Sequence, residues 1–257
     1  MRRAVFNQKG GVGKSSIACN LAAVSAEQGY RTLLVDLDAQ ANSTHYLTGR
    51  SGNDVPPGIA DFFKQTLSSG PAAKKGRVHI SETPYDNLHL VTASPELTDL
   101  QPKLEAKFKI NKLRRLLVEL AEDYERIYID TPPALNFYSV SALIAADRVL
   151  IPFDCDSFSR QALYNVIAQV AELRADHNED LVIEGIVVNQ FVSRATLHQQ
   201  MVDELKGEGL PVLPVYLNSS VKMRESHQAS VPLIHLQPAH KLTLQFVDLL
   251  TTLERAS

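Results

Sequence analysis

Apolar positions along this chain fall into two alternating textures. Short, nearly continuous apolar runs occur at Ala4–Phe6, Thr32–Asp36, Leu88–Val91, Ile127–Ile129, Val149–Pro152 and Ile183–Val188. Runs of this kind suit strands buried on both faces of a parallel sheet. Between them lie segments with helical spacing: Ile17–Ala26, Ile110–Asp123, Val140–Ala146, Gln161–Ala175 and Thr196–Glu208. The alternation implies βαβ units and an α/β fold, a doubly wound and mostly parallel sheet flanked by helices. Ligands in such sheets sit at the carboxyl ends of the strands.

Residues 49–87 depart from this rhythm. Pro56-Pro57-Gly58 leads into a short helical segment, Ile59–Leu67, and Ser68-Ser69-Gly70-Pro71 and Lys74-Lys75-Gly76 follow. The stretch reads as a surface excursion within one domain spanning residues 1–257. At the other end, Leu242, Phe246, Leu249, Leu250 and Leu253 keep helical spacing, so Lys241–Leu253 is expected to form a helix packed on the core.

Between the first strand and the first helix stands Gln8-Lys9-Gly10-Gly11-Val12-Gly13-Lys14-Ser15-Ser16. A glycine-rich turn in this position points successive backbone N–H groups at an anion, and the following helix adds its positive end. Lys14 can reach terminal phosphates, and the Ser15 hydroxyl can take a Mg²⁺ position. The common G-x-x-x-x-G-K-[ST] spacing asks for Gly at position 8, where this chain has Gln8 followed by a second lysine, Lys9. A dinucleotide fingerprint is the rival, since Asp36 lies where a ribose-binding acid belongs. Its G-x-G-x-x-G spacing is missing, so the phosphate loop is the better reading.

Two acidic strand ends follow. Asp36 and Asp38 flank Leu37, and the period of a strand puts both on one face; if that strand neighbours the phosphate loop, both are expected to approach the nucleotide and its metal. Asp130 closes an apolar run and precedes Thr131-Pro132-Pro133, where the metal-holding acid of a phosphate-loop NTPase belongs. Two prolines there make a stiff turn able to feel a γ-phosphate.

Bulk numbers exclude more than they specify. A net charge of −3 gives no global electrostatic case for nucleic acid, so such binding must come from a local patch. Cys19 and Cys155 match no metal spacing and fit unpaired thiols in a reducing compartment. No apolar run approaches the ~18 residues of a membrane span. A cytoplasmic protein without a secretory signal is expected.

Together these motifs resemble the ParA/MinD class of deviant Walker A ATPases, and its ParA partition branch in particular. The resemblance rests on Lys9-Gly10-Gly11-Val12-Gly13-Lys14-Ser15, on Leu33–Gln40, on Ile129-Asp130-Thr131-Pro132-Pro133, on Ala145-Ala146-Asp147 with Ile151-Pro152, and on Gly185–Asn189. It implies ATP and Mg²⁺ as cofactors. Lys9, Gly10, Gly11, Val12, Gly13, Lys14, Ser15 and Ser16 would hold the phosphates, and Asn189 would touch adenine. Ser15 and Asp130 would hold the metal, the latter through water. Asp38 would position the hydrolytic water, and Lys9 would cross a sandwich homodimer to the partner's ATP. Ala39 stands where the family commonly has Pro, and Leu217-Asn218-Ser219-Ser220 where it commonly has Ile-Pro-Arg-Asn.

The same resemblance implies a weak ATP hydrolase that binds DNA without sequence preference in its ATP state, and so associates with the nucleoid. A ParB-like or other adaptor protein would stimulate it. Arg194, Lys222, Arg224 and Lys241 are the candidate DNA contacts, with solvated surface charge as the plain alternative. A denser run, Lys103, Lys107, Lys109, Lys112, Arg114 and Arg115, reads as amphipathic helix surface or as a second DNA or partner face. The rival functions are a MinD-like membrane-associated positioning ATPase, disfavoured by a tail that carries Asp248 and Glu254, and a cargo-assembly ATPase that does not touch DNA.

Overall fold

The structure, a computed structural model, describes residues 1–68, 77–156 and 159–255. Most of Ser68–Pro71 and all of Lys74-Lys75-Gly76 lie outside the described residues. Among the described residues seven strands form one sheet: β1 (Arg2–Val5), β2 (Thr32–Asp36), β3 (Ser81–Glu82), β4 (Leu88–Val91), β5 (Arg126–Asp130), β6 (Arg148–Asp154) and β7 (Val182–Asn189). Their order is β3-β4-β2-β5-β1-β6-β7, with every pair parallel except β3 with β4. The doubly wound sheet expected from the apolar runs is what forms. Only the two-residue edge strand β3 carried no apolar signal.

Both faces of the sheet are covered, which explains why the strands read as unbroken apolar runs. Leu33 and Val35 enter one core cluster and Leu34 the other, following the period of two. On the second face α1 (Lys14–Glu27), rich in alanine, is buried almost all round. It packs against α11 (Lys241–Arg255), whose Leu242, Phe246, Leu249, Leu250 and Leu253 are all buried, as their spacing requires. A buried ion network ties the amino ends of the strands to this helix. Arg3 bonds Glu184 and Glu254 at 2.9 Å each, and Glu254 also takes Arg126.

Two expectations need correction. Residues 49–87 are not merely a surface excursion: α3 (Ile59–Leu67) buries Ile59, Ala60, Phe62 and Phe63 in the main core, because its apolar residues lie on one face. Nor does one helix carry the cations 103–115. They divide between α4 (Leu97–Ala106), a turn, and α5 (Lys112–Leu120), since Phe108 takes φ +52 and ends any helical path.

Helices α6 (Phe137–Ala145), α7 (Ser159–His177) and α8 (Thr196–Gly207) match the periodic segments to within a few residues. The short helices α2 (Asn42–Thr48), α9 (Val221–Ala229) and α10 (Leu233–Leu236) do not announce themselves; α2 and α9 are polar and each is only two or so turns long.

Candidate nucleotide site

Strand register assembles the site. Val5 pairs with Asp130, Asp36 with Asp130, and Asp154 with Asn189, so the carboxyl ends of β1, β2, β5, β6 and β7 form one rim. The loop Phe6–Gly13 rises from the centre of that rim into α1. Asn7 braces it from below, giving its amide to the Pro152 carbonyl at 2.7 Å and accepting the Lys9 N–H at 2.9 Å. Gly11 and Gly13 hold φ +77 and +92, which a glycine adopts without strain. Position 8 is not among the left-handed residues, so Gln8 fits there and its side chain reaches Gln169 on α7.

A cavity of about 400 Å³ opens over this loop, lined by Gly10, Gly11, Gly13, Lys14, Ser15 and Ser16, by Asp38, and by Pro133 beyond β5. Lys14 is nearly buried, and its Nζ donates to the Lys9 carbonyl at 3.0 Å. Burial depresses its ammonium pKa, opposed by the charges of Asp130 and Asp38. An anion entering the cavity would supply the missing countercharge.

The two acids of the second strand part company. Asp36 is fully buried and faces α2: its carboxylate accepts the Thr44 N–H at 2.9 Å, the Thr44 hydroxyl at 2.8 Å and the Asp38 N–H at 3.0 Å. Burial and then the charge of Asp130 raise its pKa. The expectation that both carboxylates face the nucleotide is therefore corrected. β2 ends at Asp36, the chain turns, and Asp38 alone lines the cavity.

Asp130 is also fully buried, with Oδ2 accepting the Ser43 hydroxyl at 2.7 Å. Its Oδ1 is buried with no hydrogen-bond partner among the described residues. Burial raises this carboxyl too, and hydroxyls of Ser43 and Ser15 oppose the shift. An orphaned oxygen beside the Ser15 hydroxyl fits a hard divalent cation held by one hydroxyl, one carboxylate through water and the substrate's phosphates. Among the described residues no three His, Cys, Asp or Glu side chains gather where they could hold a metal ion by themselves.

Lys9 points elsewhere. Its Nζ binds Asp154 at 3.0 Å and Asp156, and its side chain does not line the cavity. These bonds hold its ammonium pKa up against the effect of burial. Asn189 sits beneath the loop, giving its amide to the Val12 carbonyl at 2.9 Å; a Cβ on Gly13 would lie 2.2 Å from that nitrogen.

Sequence reasoning missed several residues. Asn42, His45 and Tyr46 of α2 and His227 of α9 line the cavity, and His227 Nε2 lies 3.0 Å from the Ser16 hydroxyl. Ser43 and Thr44 hold the two buried acids. Their signal was the short polar run Asn42–His45, which begins four residues after Asp38. His227 lies 211 positions from Ser16 and carried none.

Phe191 and Asn218 form a bridge, with Phe191 N–H on the Leu217 carbonyl at 2.9 Å, and Asn218 N–H reaches Gln245 of α11 at 3.0 Å. These contacts tie the chain before Arg194 to the segment that leads into α9 and to α11; Arg194, Arg224 and Lys241 are exposed. Lys222 is paired with Glu225 at 2.6 Å. Among the described residues no helix is long and apolar enough to cross a membrane.

Comparison with known proteins agrees with this geometry. A family profile described as an AAA domain matches residues 3–183. The chromosome partitioning protein ParA of Myxococcus xanthus is 34% identical over 232 residues, covering 90% of this chain and 79% of that protein. The sporulation initiation inhibitor protein Soj of Bacillus subtilis is 30% identical over 248 residues, 96% of this chain and 95% of its own. Among solved structures, cobyrinic acid a,c-diamide synthase from Mycobacterium smegmatis with bound ATP analogue and magnesium superposes with a TM-score of 0.83 at 25% identity, covering 99% of this chain and 94% of that one. A phosphate loop at the centre of this sheet, with sequence similarity running far beyond it, makes the chain a member of the AAA-domain family and, within it, of the ParA-like ATPases.

Proposed function

We propose that this chain, as one ATPase unit over residues 1–257, hydrolyses ATP slowly and uses the nucleotide as a switch. In the ATP state it forms a sandwich homodimer that binds DNA without sequence preference on the nucleoid. There it positions or segregates a plasmid, chromosome or protein cargo, until an adaptor protein stimulates hydrolysis. Mg²⁺, when bound, neutralises charge developing on the phosphates. Lys14 and the loop N–H groups hold the β- and γ-phosphates, Ser15 and Asp130 hold the metal, and Asp38 orients the attacking water. Asn189, under the loop, is assigned to the adenine side.

One observation carries the dimer reading. Lys9 and Lys14 lie in the same loop, yet only Lys14 faces the cavity; Lys9 is held by Asp154 and Asp156. A cation so placed can serve a second subunit's phosphates, as arginine fingers do. The exposed cations Arg194, Arg224 and Lys241, with Lys222, are the side chains assigned to a phosphate-binding patch that dimerisation would double. A membrane role is disfavoured because the apolar face of α11 is already spent on α1.

The decisive experiment compares retention of a DNA duplex by the full chain with ATP, ADP and no nucleotide. ATP-dependent, salt-sensitive retention supports the proposal. ATP-dependent dimerisation with no retention would instead support the cargo-assembly reading.

A further inference from the structure

The turn between α4 and α5 displays an aromatic side chain that the core does not use. Phe108 is 90% exposed, and its backbone stands at φ +52, a conformation that bulky residues avoid. A groove of about 340 Å³ is lined by the apolar Phe108, Ile110, Leu135, Phe137 and Val140 and, at its polar margin, by Lys109, Glu105 and Asn136. Leu135 is itself 43% exposed. Around it the stretch Lys103–Arg115 carries Lys103, Lys107, Lys109, Lys112, Arg114 and Arg115 against the single acid Glu105. Burial and then the charges of Lys109 and Arg115 depress the Lys112 ammonium pKa, as expected of crowded cations.

This groove adjoins the nucleotide cavity through one loop. The Thr131 hydroxyl donates to the Val5 carbonyl at 2.7 Å and pins the loop's start. Asn136 caps α6, accepting the N–H groups of Tyr138 and Ser139 at 3.0 and 3.2 Å, and pins its end. Between them Pro133, Ala134 and Leu135 are exposed. Pro133 lines the nucleotide cavity and Leu135 lines the groove.

We propose that this groove docks an acidic amphipathic segment of a partner protein, whose apolar side chains enter between Phe108 and Leu135 while its carboxylates meet a cationic rim made of Lys109 in the groove and the neighbouring cations of the 103–115 stretch. Occupancy is transmitted to the nucleotide through Pro133–Leu135, a step that rests on the nucleotide-site reading above. An apolar floor gives duplex DNA nothing to bind, since phosphates ask only for cations. A second copy joined by a twofold axis would set one cationic rim against the other. An acidic chain with apolar anchors satisfies both floor and rim.

The test selects displayed random peptides of about 16 residues, long enough for several helical anchors, on the full chain with Mg²⁺ and ATP. Acidic peptides with apolar residues at helical spacing should be enriched. Phe108→Ser should weaken them about tenfold or more, as loss of an aromatic anchor does. Its melting temperature and ATP affinity should match those of the parent. Bound peptide should change the rate of phosphate release in the parent and not in Phe108→Ser. Enrichment of basic peptides, no enrichment, or equal binding to Phe108→Ser overturns the proposal. So does a Phe108→Ser phenotype confined to DNA retention or to self-association, which would assign the groove to nucleic acid or to a second copy. If the parent fails to bind ATP while the peptides still depend on Phe108, the nucleotide-site reading fails and the docking site stands.

Discussion

Asp36 and Asp130 stand opposite one another in the register of β2 and β5, both fully buried, yet they serve different ends. Asp36 is saturated by Thr44 and the Asp38 amide, whereas Asp130 keeps one oxygen without a partner among the described residues. The first is a brace for α2, and the second keeps the buried acceptor that the proposed metal role would use.

Asp36→Ala and Asp38→Ala should therefore fail in different ways. Asp36→Ala removes buried hydrogen bonds and should destabilise the fold by about 1–3 kcal/mol. Asp38→Ala should melt like the parent, bind ATP, lose turnover by about 10²-fold or more, and accumulate as an ATP-bound dimer. Denaturant melts and phosphate release separate the two. Wild-type turnover in Asp38→Ala would reassign the water-positioning role.

Lys9 must leave Asp154 and Asp156 if it is to reach a partner's phosphate. A half-exposed pair is worth about 0–1 kcal/mol, so Asp156→Asn should tighten ATP-dependent dimerisation by no more than about fivefold. Lys9→Ala should abolish that dimer while leaving monomer affinity for ATP nearly intact. Sedimentation with and without ATP reads both, and an unaltered dimer in Lys9→Ala would sink the trans role.

Gly13→Ala is expected to disable the loop. Its Cβ would lie 2.2 Å from Asn189 Nδ2, at a φ of +92 that alanine resists. The strain falls on the loop and on Asn189, so ATP binding should be lost before global stability is. Calorimetric titration with ATP, set beside a thermal melt, shows which fails first.

The network at the amino end of the sheet predicts acid sensitivity. Glu184→Ala would leave Arg3 buried and poorly paired, at a cost of about 3–5 kcal/mol. At Glu254 burial pushes the carboxyl pKa up, but bonds from Arg126 and Arg3 prevail and hold it low. A depressed carboxyl stabilises the fold fully above its unfolded value of about 4.3, and loses that contribution as pH falls through the folded value. Urea melts between about pH 3 and 6 should show this slope in the parent and a shallower one in Glu254→Gln.

Much of this was legible in the chain because it is locally encoded. Thr32–Asp36 and Leu88–Val91 are strands to the residue, and Ile59–Leu67 is a helix to the residue. α4 was missed although Leu97, Leu100 and Leu104 keep helical spacing, since Pro102 sits inside it. α2 and α9 were missed because neither has an apolar face long enough to register. The cavity-lining side chains Asn42, His45, Tyr46 and His227 come from those two helices.

By itself the sequence determined the strand texture, the glycine loop with Lys14 and Ser15, the acid at the end of β5 and the packed terminal helix. Each is a pattern within a few consecutive residues, set by sterics, hydrogen bonding or periodic burial. Only the tertiary structure decided that Asp36 braces while Asp38 lines the cavity, that Ser43 holds Asp130, that His227 meets Ser16, and that Lys9 faces away from the phosphate site. Those outcomes depend on cross-strand register and on contacts such as the 87 positions between Ser43 and Asp130, which no local pattern encodes.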